Sequence, residues 1–299
     1  MSATSNKGES GMKRLLTILA TPLVLLACGG GEERSVIQNT GSDTLLSVAQ
    51  GWAEAYAVVD PSVAVAVSGG GSGTGISSMI NGTVDIANSS RSMRESEYEA
   101  SRAQGLDPQE FVVGYDALAI FLHPDNPLTS ISIEQLVGVY GEFGEIESWS
   151  QLGVSVPGCG SDEIVRVSRQ NNSGTYVYFR EAVLKESEFK LGSRDMHGSK
   201  DVVDLVENTP CAIGYSGLAY ATEHISMPCV SEAETDSCVI PSVDTAIDGS
   251  YSIARPLFMY TAMPPEGAVG VYMDWILSEE GQCIILEKGY APVTDVTCV

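Results

Sequence analysis

The sequence predicts an α/β fold in two lobes with a ligand cleft between them. Short apolar strands alternate with amphipathic helical patterns, which is typical of a mostly parallel sheet with helices packed on it. A strand-like run at residues 111–122 is placed to leave the first lobe, and another at residues 255–261 is placed to return to it. One lobe is therefore predicted to be inserted into the other, and clefts between lobes commonly hold ligands.

The first lobe begins with short elements in regular alternation. An extended lead-in over residues 35–39 precedes a helix in which Leu45, Trp52 and Tyr56 recur at helical spacing. A glycine-rich segment separates the next strand from the next helix, and Gly105 ends the last helix. The elements after the first helix are a strand at residues 63–67, a helix at 76–80, a strand at 84–87 and a helix at 95–104.

The second lobe is predicted from elements of the same kind. They are a helix at residues 133–140, a strand at 165–168, a helix at 175–184 and a strand at 212–215. After the chain returns to the first lobe, two closing helices are predicted at residues 269–277 and 279–286. We therefore assign residues 36–112 and 255–299 to lobe 1, and residues 113–254 to lobe 2.

Composition excludes one large class of partner. The chain of 299 residues has a formal net charge of −23, and 43% of its residues are hydrophobic. A strongly acidic chain lacks the basic face that nucleic acids require, so nucleic-acid binding is excluded. An anionic ligand would gain no long-range attraction from such a chain and would have to be held by local hydrogen-bond donors.

Residues 1–27 are predicted to be a lipoprotein signal peptide. Lys13 and Arg14 precede an apolar run that ends at Ala27 and is too short to span a bilayer. The four residues up to Cys28, LLAC, resemble a bacterial lipobox, which implies cleavage before Cys28 and a lipid on its thiol. Residues 28–35 are then a flexible tether. The alternative is a plain secretory signal with an unrelated cysteine. In both cases the protein is exported, and in the first it is anchored by lipid at the periplasmic or cell-surface face of a membrane.

The other cysteines are even in number, as expected of an exported protein with disulfides. Six cysteines allow 15 pairings, and the sequence alone does not choose among them. Proximity in sequence favours two pairs and leaves a third, namely Cys229–Cys238, Cys283–Cys298 and the remaining Cys159–Cys211.

Three clusters of Gly, Ser and Thr directly precede helical patterns, at residues 41–44, 69–75 and 172–175. The first N–H groups of a helix have no intrahelical partner, and the helix dipole places partial positive charge there. Glycine allows a close approach of the backbone, while Ser and Thr add hydroxyl donors. With Arg91 and Arg169 beside two of the clusters, the pattern indicates several helix ends directed at one oxyanion.

Features of an enzyme are missing from the sequence. The glycine cluster lacks the Lys-Ser/Thr that completes a phosphate-binding P-loop, and the segment at residues 214–218 lacks the last glycine of a nucleophile elbow. The three histidines lie apart from any Ser or Cys signature, and no Cys/His spacing fits zinc. We predict no catalytic residue, no cofactor and no metal.

The order of several motifs resembles a known family, the periplasmic phosphate-binding proteins, which are substrate-binding lipoproteins of the phosphate ABC importer. The resemblance covers nearly all of residues 36–299, and RQNNSGT is its most specific part. The motifs are GSDTL at 41–45, GSGTG at 71–75, DIANSSR at 85–91, YGEFGEIESW at 140–149, RQNNSGT at 169–175, IGY at 213–215 and RPL at 255–257.

This resemblance implies the two-lobed periplasmic binding protein fold of type II, with the ligand cleft between the lobes. It also implies a set of phosphate ligands drawn from both lobes. These are Thr44 and the backbone of Asp43 at the first helix end, Ser72 at the second, and Arg169, Ser173, Gly174 and Thr175 in the second lobe.

Four positions leave alternatives open. Ser90 falls where well-studied members of the family have an Asp that accepts the phosphate proton, which leaves discrimination between phosphate and sulfate open. Arg91 either adds a charge-assisted hydrogen bond to the anion or is an arginine at the start of a helix. Asp43 either supplies the missing acceptor or caps the first helix. For Arg169, the alternative to a ligand is a surface ion pair.

The implied function is capture of phosphate between the lobes and its delivery to the transmembrane subunits of an ABC permease. The expected protein is a monomer that meets the membrane only through its lipid. The alternatives are a binding protein for a related oxyanion, arsenate or sulfate, and a secreted phosphatase.

Overall fold

The computed structural model describes residues 34–298. The predicted signal peptide, the lipidation site Cys28 and the tether up to residue 33 lie outside the described residues. Residues from Arg34 onward form one compact unit. The tether was predicted slightly too long, because Ser35 already belongs to the first strand. None of the helices in residues 34–298 has the length and apolar character needed to cross a membrane.

The first part of the chain follows the predicted alternation. The extended lead-in is a full strand of the sheet, and every predicted helix and strand in this part is present within a few residues of its expected bounds. The elements are β1 Ser35–Gly41, α1 Leu46–Val59, β2 Val63–Ser68, α2 Ser72–Ile80, β3 Ile86–Ser89, α3 Glu95–Ala103 and β4 Gln109–Leu122.

The rest of the chain contains five elements that were not predicted from the sequence, three strands of three residues each and two helices. They carry the labels β5, β7, β9, α6 and α7 in the following list. The full set is β5 Ser130–Ser132, α4 Ile133–Tyr140, β6 Val165–Arg169, α5 Gly174–Ala182, β7 Arg194–Met196, α6 Ser199–Glu207, β8 Ala212–Gly217, β9 Cys229–Ser231, α7 Val243–Ile247, β10 Ala254–Thr261, α8 Gly267–Ile276 and α9 Glu279–Glu287. Single 3₁₀ turns lie at Trp149–Leu152 and Leu218–Tyr220.

Eight strands form one sheet in the order β2-β1-β3-β10-β4-β8-β6-β7. The prediction of a mostly parallel sheet holds only for its two ends, because the three central pairings, β3-β10, β10-β4 and β4-β8, are antiparallel. The reason is that β4 and β10 are the strands that run between the two halves in opposite directions. Strand β4 pairs with β10 up to Ala117 and with β8 from Leu118 onward, so it is shared by both halves.

Each half of the sheet has its own apolar core. Trp52, fully buried, packs in the cluster of the first half, which the C-terminal helices α8 and α9 also cover. Trp149 and Tyr215 pack in the main cluster of the second half. The apolar clusters of the two halves are separate, and the residues of the candidate site lie at the junction between the halves.

The two disulfides favoured by proximity and the remaining third pair are confirmed. Cys159–Cys211, Cys229–Cys238 and Cys283–Cys298 are bonded, with sequence separations of 52, 9 and 15 residues.

Because a crosslink removes more unfolded-state entropy when it closes a longer loop, the first disulfide should stabilise the protein most. We expect removal of Cys159–Cys211 by alanine replacement to lower the free energy of unfolding by about 4 kcal/mol, and removal of Cys229–Cys238 to lower it by about 2.5 kcal/mol. Equilibrium denaturant unfolding of the two double variants measures both values, and the reverse order would contradict this account.

Candidate functional site

Three helices begin at the predicted clusters, and their first turns meet. Thr44 Oγ1 lies 3.0 Å from Thr175 Oγ1, and Ser72 Oγ lies 3.4 Å from Ser90 Oγ. Gly174 approaches the same two serines so closely that a Cβ there would lie within 3.0 Å of both hydroxyl oxygens. We call these five residues the donor cluster. All of them are buried.

Parallel strands explain why the first-half members of the donor cluster meet. Because β1 runs parallel to both β2 and β3, the loops that follow these strands emerge at one edge of the sheet. Gly41 ends β1 with a φ of +146°, and a Cβ there would overlap the Asn88 carbonyl, so the turn requires glycine. The Ser42 N–H then donates to Asn88 O at 2.9 Å, and the Ser42 hydroxyl donates to Ser90 Oγ at 3.0 Å.

Two of the helix ends keep their first amides free of side-chain caps. The N-cap residues of α1 and α2 are Leu45 and Gly71, and neither makes a side-chain cap hydrogen bond. Helix α5 differs, because the Ser173 hydroxyl oxygen accepts the Thr175 N–H at 3.2 Å. Ser173 thus lies at the site as the cap of α5. The first turn of α2 does have a backbone partner, because the Gly73 N–H donates to Asn172 O at 3.0 Å. The partial positive charge at helix ends without side-chain caps still favours an anion.

Arg255 lies at the centre of the donor cluster, although the sequence analysis assigned it no role. Its Nη2 donates to Thr44 Oγ1 at 3.3 Å and to Thr175 Oγ1 at 3.1 Å, and its Nη1 donates to Ser90 O at 3.1 Å. The residue is only 1% exposed. One guanidinium therefore contacts loops from both halves of the sheet.

Asp116 is the counter-ion of Arg255. Arg255 Nη2 and Nε donate to Asp116 Oδ2 at 2.8 and 3.1 Å, and the two residues are directly opposite each other on β4 and β10. Burial raises the pKa of the Asp116 carboxyl, and the Arg255 charge opposes this rise. Because a buried arginine without a counter-ion would be costly, Asp116 makes the position of Arg255 possible.

Arg169 is buried, but its hydrogen bonds go to groups outside the donor cluster. Nη1 donates to Ser199 Oγ at 3.0 Å, and Nη2 donates to His197 O at 2.7 Å and to Asp43 Oδ2 at 3.2 Å. Burial lowers the pKa of Arg169, and the nearby Asp43 opposes this effect. With 1% exposure, Arg169 is not the surface ion pair considered as its alternative. It ties the two halves together through Asp43.

Asp43 does not cap the first helix, so that interpretation is wrong. The cap position belongs to Leu45, because the chain makes a further turn before α1 begins. Instead, Asp43 Oδ1 accepts the Gly70 N–H at 3.1 Å, and Oδ2 accepts from Arg169. The carboxylate therefore joins the loops before α1 and α2 to the second half of the sheet.

Two tyrosines, the half-buried Tyr220 and the buried Tyr290, fix the backbone beside Thr44. The Tyr220 hydroxyl donates to Asp43 O at 2.5 Å, and the Tyr290 hydroxyl donates to Thr44 O. Burial raises the pKa of both hydroxyls, so both remain protonated donors at neutral pH. No local motif marks either tyrosine, since their partners are more than a hundred residues away in the chain.

Arg91 is held at the start of α3, the alternative left open for it. Its Nη1 and Nη2 donate to the two Glu97 carboxylate oxygens at 2.8 and 2.6 Å. Burial alone would raise the pKa of Glu97, but the hydrogen bonds from Arg91 and from the Arg94 N–H outweigh it, and the pKa lies below its ordinary value. The structure thus places Arg91 next to Ser90 but directs its guanidinium away from the donor cluster.

Comparison with known proteins agrees with this architecture. The PBP superfamily domain matches residues 29–280. The phosphate-binding protein PstS of Pseudomonas aeruginosa is 29% identical over 86% of this chain and 83% of its own length. Protein SphX of Synechococcus elongatus is 30% identical over 87% of this chain and 78% of its own.

A solved structure gives the same result at the level of the fold. The putative phosphate ABC transporter substrate-binding protein from Clostridium perfringens, solved with bound phosphate, aligns with a TM-score of 0.75 and 28% identity. It covers 87% of this chain, and all of that chain is matched. The mixed sheet with two cores is the two-lobed fold of periplasmic binding proteins, and the chain belongs to the PBP superfamily.

Proposed function

We propose that this chain is an exported protein that binds inorganic phosphate between its two lobes and delivers it to an ABC-type permease. The observation that carries the proposal is the position of Arg255, whose guanidinium contacts Thr44 and Thr175 at the starts of two helices from opposite halves of the sheet. The relatives named as phosphate-binding proteins and the related structure with bound phosphate support the choice of anion.

The donor cluster has the chemistry that a phosphate ion requires. Phosphate presents several acceptor oxygens, and a buried acceptor without a hydrogen bond costs roughly 1–3 kcal/mol. The cluster offers hydroxyl groups, uncapped helix ends and one planar guanidinium, while Asp116 balances the fixed charge. Neutral donors allow reversible binding, and the arginine fork sets the orientation of the ion.

We propose Thr44, Ser72, Ser90, Gly174 and Thr175 as direct ligands, together with Arg255. Ser173 contributes as the cap of α5. In this proposal Arg169 lies at the border of the site, and Asp43, which accepts from Arg169, is the proposed acceptor for the phosphate hydroxyl. Arg91 lies outside the set of direct ligands because Glu97 binds its guanidinium.

The proposed lobes are residues 36–112 with 255–299, and residues 113–254. The strand pairing supports this division, although β4 changes partner at Ala117 and Leu118, five residues after the proposed boundary. Closure of the lobes would bury the ion, and opening at the transmembrane subunits of the permease would release it. We further propose a monomer anchored through a lipid on Cys28, with no enzymatic activity.

We propose that the preference for phosphate over sulfate depends on Asp43. Sulfate is fully ionised near neutral pH and has no hydroxyl, so it would face the Asp43 carboxylate as a like charge. We expect Asp43→Asn to lower the ratio of phosphate to sulfate affinity by roughly tenfold, or about 1.4 kcal/mol. Asp85→Asn is the matched control, because Asp85 also accepts a backbone N–H, that of Gln38, away from the cluster. An unchanged affinity ratio in Asp43→Asn would mean that another group reads the phosphate proton.

The function is tested by calorimetric titration of the soluble protein, starting at residue 29, with phosphate, arsenate and sulfate. We expect one phosphate per chain, with weaker binding of sulfate. A parallel assay with a chromogenic phosphoester should give no turnover. Absence of phosphate binding, or turnover of the ester, would contradict the proposal, while a preference for arsenate or sulfate would assign the site to the related oxyanion.

A further inference from the structure

A cavity beside the donor cluster is lined by Ser90 and Arg255. It has a volume of about 240 Å³ and lies between the segment after β3, helix α5 and strand β10. At its inner end are Ser90 and Arg255, which are 0% and 1% exposed. The side chains of Arg94 and Glu181, both exposed, line it at the surface. The cavity therefore leads from solvent to two members of the proposed phosphate site.

Three arginines line this cavity, although the chain as a whole has a formal net charge of −23. Glu97 binds Arg91 and Asp116 binds Arg255, so Arg94 is the arginine of the lining that has no ion pair among the described residues. Glu181 is the acidic residue of the lining. An anion approaching most of the surface is repelled, so one unpaired arginine at the surface has a large relative effect on where the anion arrives.

Arg91 provides a second observation that points to a ligand. Its side chain is 3% exposed, and its Nε has no hydrogen-bond partner among the described residues, whereas Nη1 and Nη2 are bound by Glu97. Arg91 and Arg94 also line a neighbouring cavity of about 440 Å³ that contains Gly73 and Asn172 at the contact between the lobes. A buried N–H without an acceptor is costly, and an anion passing through these cavities would supply the acceptor.

The Arg91–Glu97 pair limits how strongly the anion is held on the way. Two of the three guanidinium nitrogens of Arg91 are committed to the carboxylate, so a passing phosphate would meet one free N–H there. Arg255, in contrast, contacts the donor cluster itself. A phosphate ion would therefore find few free hydrogen-bond donors on its way through the cavity and several at the donor cluster.

We propose that this cavity is the route by which phosphate reaches the donor cluster, and that Arg94 is the residue that captures the anion at the surface. The inference rests on the proposed function. Arg94 acts before the lobes close around the ion, so it sets the association rate constant and leaves the dissociation rate constant nearly unchanged.

The test is the association rate of radiolabelled phosphate, measured by rapid mixing and filtration with Arg94→Gln. Arg102→Gln is the matched control, because Arg102 lies on the same helix α3, loses the same charge, and is exposed in an ion pair with Glu95. We expect Arg94→Gln to lower the association rate constant roughly three- to tenfold at low ionic strength, with Arg102→Gln close to wild type. The difference should shrink as added salt screens the charges.

One result would overturn the proposed route and the role of Arg94, and another would overturn the proposed function. Equal association rates in Arg94→Gln and Arg102→Gln, with phosphate still bound by both, would show that Arg94 does not capture the anion and would remove the cavity as the route. No phosphate binding by the wild-type protein in calorimetry would overturn the proposed function itself, and this inference with it.

Discussion

Gly174→Val is expected to abolish tight phosphate binding while the protein stays folded. A Cβ at this position would lie within 3.0 Å of the hydroxyl oxygens of both Ser72 and Ser90, and these residues belong to the other half of the sheet. The clash therefore acts between the lobes and not within either core. We expect the phosphate affinity to fall by roughly 100-fold or more, equivalent to at least about 2.7 kcal/mol.

Calorimetry measures this loss, and thermal unfolding shows that the fold is kept. Gly174→Ala should have the same direction of effect on binding, without loss of stability, because alanine favours a helix over glycine by roughly 0.5–1 kcal/mol. Gly160→Ala is the control, since a Cβ there meets no atom within 4 Å. If Gly174→Val bound phosphate with near-wild-type affinity, close contact between the lobes at residue 174 would not be required for binding.

Arg255→Lys is expected to have the second large effect. Lysine keeps the positive charge beside Asp116 but lacks the planar fork that contacts Thr44, Thr175 and the Ser90 carbonyl together. Loss of a hydrogen bond from a charged group costs about 1.5–3 kcal/mol, so the phosphate affinity should fall by roughly 10- to 150-fold. Calorimetry of phosphate binding measures the change.

A double variant separates binding from stability at Arg255. Arg255→Met alone would leave Asp116 as a buried unpaired charge, which is strongly destabilising. Arg255→Met with Asp116→Asn removes both charges, so it should fold and still fail to bind phosphate tightly. Arg102→Gln, an exposed arginine outside the site, should bind as the wild type does. Tight binding by the folded double variant would exclude Arg255 from the site.

The fold could be predicted wherever an element is long enough to repeat its pattern. Helix α1 places Trp52 and Tyr56 on one buried face, and β4 is apolar over most of its length, so both were found from the sequence. The strands β5, β7 and β9 have three residues each, too few for an alternating pattern. Helix α6 was missed although Val202, Val203 and Val206 have helical spacing, because its flanks resemble a loop.

The site was predictable where its residues belong to local motifs. The glycine clusters and the Ser-Gly-Thr element identify helix starts by themselves, so Thr44, Ser72 and Thr175 were included in the candidate site, where the structure brings them close to one another or to Ser90. Arg255 lies inside a strand, where no neighbouring residue marks a charged side chain as functional. Its role depends on Asp116, which is 139 residues earlier in the chain, so only the folded structure brings the pair together.

Asp43 and Arg91 show where local rules fail. A short acidic residue before a helix is typical of a cap, but Asp43 is engaged by Gly70 and by Arg169 from the other half of the sheet. Arg91 follows a serine of the donor cluster directly, yet its partner Glu97 lies six residues later in the first turn of α3. In both cases the competing partner lies outside the motif.

The central claim is that phosphate binds at the donor cluster between the two lobes. A crystal structure of the soluble protein grown with phosphate tests this claim most directly. We predict one phosphate within hydrogen-bond distance of the Thr44 and Thr175 hydroxyls and of the Arg255 guanidinium. A phosphate bound elsewhere, such as in the cavity of about 390 Å³ beside Ser132 and Gln135, with none at the donor cluster, would contradict the account.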